Sequence, residues 1–112
     1  MQRQSLELEM TQPLSEQYRI IAKKYVEADA AASLLEETKT AMLAQWMAEE
    51  GDMPVSRAEM LVKASDKWMD YIVEMIEARN KAALLKAQLE YIRMQFSEQQ
   101  SKEATQRAEM KL

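Results

Sequence analysis

Asp66, Asp70 and Glu74 stand four residues apart, so a helix through them aligns three carboxylates on one face. Such a row can hold magnesium. Lys63 and Lys67 are interleaved with it, and acid–base spacing of this kind supports a helix through local ion pairs. The row therefore reads better as a paired helix surface than as a metal site. The remaining chemistry is bounded by composition. The chain has no histidine and no cysteine. Ser-His-Asp and Cys-His arrangements and the usual zinc sites cannot be assembled without them. A single glycine rules out a glycine-rich phosphate loop. The expectation is a protein that is not an enzyme and takes no metal and no cofactor.

Charge is the second source of chemistry. The net value of −4 argues against indiscriminate nucleic-acid binding, but its distribution is uneven. Residues 17–27 with 78–94 hold seven cations against two acids, a net +5. Residues 36–77 hold ten acids against four cations, a net −6. Arg19, Lys23, Lys24, Lys81, Lys86 and Arg93 are the candidate contacts for DNA phosphates. The competing readings are a solvated helix face, or dipoles that align subunits head to tail.

Long helices must position these groups. Punctuation is confined to Pro13 and to Gly51-Asp52-Met53-Pro54. From Pro13 an apolar ladder runs through Leu14, Tyr18, Ile21, Tyr25, Ala28, Ala32, Leu35, Met42 and Trp46, with Lys39 as its one polar step. The spacing alternates four and three, as in a heptad seam. After the turn, Ser56-Arg57-Ala58-Glu59 has the pattern of a capping box. A second ladder follows at Leu61, Ala64, Trp68, Tyr71, Met75, Ala78, Ala82, Leu85, Leu89, Ile92 and Phe96. The expected fold is all-α, a long antiparallel coiled-coil-like helical hairpin. Residues 1–12 form a partly ordered N-terminal extension, and 13–112 one hairpin domain. Helix one covers about 13–50, the turn 51–56 and helix two about 57–110. Counting outward from the turn pairs Ala28 with Ala78 and puts Asp29 near Arg79 and Lys24 near Lys81.

A two-helix hairpin buries little surface, so assembly into a dimer or larger bundle is expected. Val62, Met69, Ile76 and Ala83 recur every seven residues beside Ile72 and Val73, off the seam. They are the candidate face for self-association or for a foreign protein. Met47, Met53 and Met60 near the turn suit an adaptable contact. The aromatic ladder residues are expected to be buried, with Tyr91 as the exposed exception. No apolar run is long enough to cross a bilayer, and a cytoplasmic location is expected.

The runs Asp52-Met53-Pro54-Val55-Ser56-Arg57-Ala58-Glu59-Met60, Leu89-Glu90-Tyr91-Ile92-Arg93 and Glu103-Ala104-Thr105 resemble a group of small helical proteins of tailed phages and prophages. The resemblance covers the chain from about Leu14 onward. It implies a setting among early genes of recombination and replication, in the host cytoplasm. It brings no activity and no catalytic residues.

Three functions follow. The first is a non-enzymatic accessory oligomer in phage DNA recombination or replication, contacting DNA or a DNA-bound protein through the basic patch. The second is an inhibitor of a host nuclease or defence complex, working through its acidic, Met-rich end. The third is a purely structural coiled-coil oligomer.

Overall fold

The computed structural model describes residues 12–111. The expected N-terminal extension lies almost wholly outside them. The described residues form three helices and no strand: α1 (Leu14–Glu49), α2 (Val55–Lys63) and α3 (Asp66–Met110). The chain is an all-α helical hairpin.

Pro13 opens α1, its carbonyl accepting the Glu16 and Gln17 amides at 3.0 Å each. Proline suits this place because its missing N–H would lie at an unpaired helix end. Gly51 closes the segment with φ of +93°, a conformation that side chains with a Cβ resist. Pro54, not Ser56, is the N-cap of α2, and no side chain caps it. The expected capping box is therefore absent. Pro54 holds φ at −58°, and helix geometry begins one residue later, which leaves Ser56 inside the first turn. Glu59 turns forward instead and pairs with Lys63 at 2.7 Å.

Helix two is expected unbroken, yet it is interrupted at Ala64–Ser65. Ser65 is the cause. Its Oγ donates to the Val62 carbonyl at 2.6 Å and accepts the Trp68 amide at 3.2 Å. One hydroxyl thus ends α2 and caps α3, with Asp66 in the first turn of α3 facing the positive end of the helix dipole. Ser65→Ala should cost about 1 kcal/mol in urea unfolding. An unchanged midpoint would show that the break needs no cap.

The interruption resets the helical phase. Leu61, expected on the seam, is 40% exposed, whereas Val62 is 2% exposed and Ala58 is buried beside it.

The chain divides into two compact units. One is Glu27–Ala82, whose core holds Ala28, Ala32, Ala58, Val62, Trp68 and Ala82. Its contacts run in antiparallel order: the Trp46 ring with Trp68, the Leu35 carbonyl with the Tyr71 hydroxyl, Asp29 with Arg79. Trp46 lies edge-on to both Trp68 and Tyr71, which stack on each other at 5.9 Å. Lys39, the polar step in the ladder, has its ammonium 6.0 Å from the Trp68 ring. The other unit contains 12–26 and 83–111 among its described residues, with Ile92 buried.

Candidate functional site

The two units differ in charge. Unit Glu27–Ala82 carries twelve acids against six cations, a net −6. The described residues of the other unit carry eight cations against five acids, a net +3. The asymmetry seen along the sequence thus persists within each unit.

The expected basic patch, however, does not converge on one face. A helix advances about 100° per residue. Lys86 and Arg93 are seven apart on α3 and share a face. Lys81 lies about 140° round the helix from Lys86, on another face. It also belongs to the acidic unit. On α1, Lys23 is about 160° from both Ile21 and Tyr25, so it points away from the seam. Arg19 shares that outward side and is tied to Glu16, which lowers the Glu16 pKa through their hydrogen bond. Lys24 is exposed and engaged. Counting cations along the chain captured their position on the axis but not their angle around it.

Arg79 is the best-anchored cation. It bonds Glu36, reaches Asp29 at 2.6 Å and Ser33 at 3.3 Å. The Glu36 and Asp29 carboxylates raise its pKa above the ordinary guanidinium value. The expected Asp29–Arg79 pair is present, and Glu36 joins it. The Arg79 charge is more than balanced by two carboxylates and the group is partly exposed, so it fixes register more than it adds stability. Lys67 reaches Glu49 at 3.3 Å, across the turn, and its ammonium lies 4.7 Å from the Trp46 ring. Neither Lys63 nor Lys67 pairs with the Asp66–Asp70–Glu74 row, contrary to the expected local pairing.

Arg93 has a different environment. Its guanidinium donates to the Tyr18 hydroxyl at 2.9 Å and sits 5.8 Å from the Tyr18 ring. It makes no ion pair with any described residue; the same holds for the exposed Lys23 and Lys86. Beside it opens an apolar groove of about 320 Å³, lined by Leu14, Ser15, Tyr18, Ile92, Arg93 and Phe96. Phe96 is 50% exposed, although the ladder predicts it buried. Beyond it, residues 97–111 are exposed on every side, so the seam has no further cover there. An aromatic groove with an uncompensated guanidinium at its lip can stack a planar group and hold an anion. The signal available in sequence was Arg93 three residues from Phe96 at the fading end of the ladder.

The candidate partner face also changes. Val62 leaves it, because the break at Ala64–Ser65 turns α2 and buries that side chain. Ile72 is half-buried. Met69, Val73 and Ile76 are exposed, as is the small Ala83. Tyr91 is exposed, as expected. Among the described residues no helix is long and apolar enough to cross a membrane. No protein-family model, curated protein or solved structure matches the chain.

Proposed function

We propose that this chain is a non-enzymatic accessory protein of DNA recombination or replication, and that it contacts single-stranded DNA through the Arg93 groove. The observation that carries this reading is the Arg93 guanidinium. It rests on the Tyr18 ring and hydroxyl rather than on a carboxylate, beside a half-exposed Phe96. An unstacked base fits against Phe96 and Tyr18. Its phosphates meet Arg93 and Lys86, which share one face of α3. A duplex offers no free base to the groove, which favours single strands. The phage setting comes from the sequence resemblance. The net +3 of the surrounding unit supports a polyanion at this end of the chain.

Fluorescence anisotropy with short single- and double-stranded oligonucleotides, at low and near-physiological salt, tests the reading. Binding should weaken steeply with salt. The double reversal Lys86→Glu/Arg93→Glu should lower affinity by about tenfold or more. Phe96→Ala should cost about tenfold for single strands, the usual worth of one stacked base. Lys81→Glu, on another face of α3, should change little. Absence of binding at low salt would sink the proposal. It would turn attention to a protein partner for the acidic unit, where Met60 and Val55 are exposed.

A further inference from the structure

Within the acidic unit, the stretch of α3 from Asp66 to Glu77 has two distinct faces. Trp68, Tyr71, Met75 and Ala78 are buried or half-buried on the inner one. Met69, Val73 and Ile76 are 57%, 44% and 50% exposed on the outer one. At about 100° per residue these three fall within an arc of about 60°. Asp66, Asp70, Glu74 and Glu77, all exposed, occupy the adjoining arc of about 80°, on one side of the stripe. The result is a short apolar stripe with a carboxylate border.

The border has no cation of its own. Among the described residues none of these four carboxylates forms an ion pair. Asp66 faces the positive end of the α3 dipole, a role that Asp70, Glu74 and Glu77 lie too far along the helix to share. Lys67, the one cation in the stretch, reaches Glu49 and the Trp46 ring instead. Lys81 stands one turn beyond Glu77 on the acidic side and does not pair with it. Like charges at four-residue spacing, as at Asp66, Asp70 and Glu74, destabilise a helix that stands alone.

Charges that border an apolar seam select the helix that packs on it. Here they select cations. A second copy presenting this same segment sets carboxylate against carboxylate, whichever way it runs. An uncharged helix leaves the border unpaired. Apolar residues at i, i+4 and i+7 match the anchor spacing of an amphipathic helix, and the flexible Met69 adapts to the anchor it meets.

We infer that the Met69–Val73–Ile76 stripe docks a basic amphipathic helix of a partner protein. The partner's apolar anchors cover the stripe, and its lysines or arginines meet Asp70, Glu74 and Glu77. The stripe shares no residue with the Arg93 groove, so the inference does not rest on the DNA reading.

The probe is a synthetic peptide of about three heptads, with leucine at the seam positions and lysine beside them. Its counterpart carries glutamate in place of lysine. Isothermal titration calorimetry on the full chain should show one lysine peptide bound per chain and no binding of the glutamate peptide. Val73→Ser/Ile76→Ser should weaken binding by about tenfold or more. The helical circular dichroism signal should persist, because both side chains are exposed. Asp70→Asn/Glu74→Gln should weaken binding several-fold at low salt and little at high salt. Glu37→Gln/Glu50→Gln removes the same charge from exposed acids off α3 and should change little. Absence of binding, equal binding of the two peptides, unchanged affinity in the Val73/Ile76 variant, or equal losses in the two charge variants would each overturn the inference. Sedimentation equilibrium of the chain alone examines the other occupant. A dimer that Val73→Ser/Ile76→Ser dissociates would assign the stripe to a second copy and overturn the inference as well.

Discussion

Trp68→Ala is expected to remove about 3–5 kcal/mol of stability, the usual cost of truncating a buried aromatic to alanine. Trp68 is the largest side chain in a core that otherwise holds alanines, Val62 and Ile92 among the described residues. It also organises its neighbours. Trp46 meets it edge-on at 6.1 Å, and Tyr71 stacks on it at an interplanar angle of 15°. Its own amide is the group that Ser65 caps. Removing the ring leaves a cavity next to the Ala64–Ser65 break, where no continuous helix can close over it. Small domains are stable by only about 5–15 kcal/mol, so the loss is a large share of the whole. Urea unfolding followed by circular dichroism measures it. Tyr71→Phe is the comparison: it keeps the stack and deletes the hydroxyl that bonds the Leu35 carbonyl and contacts Thr38. Its cost should be about 1 kcal/mol. A Trp68→Ala loss as small as that of Tyr71→Phe would remove the aromatic cluster as the organiser of this unit.

The contrast between these two sites shows what could be read from residues alone. Trp68, Ala28, Ala32, Ala82 and Ile92 all fall on the three-four ladders, and all are buried. Counting outward from Gly51–Pro54 also placed Asp29 beside Arg79, because a short turn leaves little freedom of register. Ser65 was missed for a physical reason. Alanine at 64 and the apolar period on both sides favour helix, and the break depends on one hydroxyl serving two helix ends. Once missed, it shifted the phase of everything before it, and Leu61 exchanged roles with Val62.

The candidate surfaces depend on angle around the helix, which spacing along the chain gives only in part. A strict seven-residue repeat picks Val62, Met69, Ile76 and Ala83. It misses Leu84, Tyr91 and Met94, which are exposed on α3 but lie off that repeat. The six cations share a place along the axis, whereas contact depends on angle, and Lys81 and Lys86 face different ways. The Tyr18–Arg93 bond joins residues 75 apart in sequence, and no spacing rule within a helix announces it.

Ala32→Leu should destabilise the protein by about 1–3 kcal/mol even though it adds apolar surface. Ala32 has no exposed area at all. Helix axes pack 8–10 Å apart according to the side chains between them, and alanine permits the close end of that range. Three extra carbons at this point must push the neighbouring helix away. The bonds that cross there have little slack. Arg79 spans to Asp29 at 2.6 Å, one turn before Ala32, and the Tyr71 hydroxyl reaches the Leu35 carbonyl at 2.5 Å, one turn after it. A shift large enough for leucine lengthens both. Ala31→Leu is the control, since Ala31 is the exposed neighbour on the same turn with the same small change in helix propensity. It should leave the urea midpoint within about 0.5 kcal/mol of the parent. Equal behaviour of the two variants would mean that the helices approach no more closely at Ala32 than a leucine seam allows. A selective loss at Ala32 would make the small residues of α1 the determinant of helix spacing in this unit, and hence of the geometry that lets Arg79 reach Asp29, Ser33 and Glu36 together.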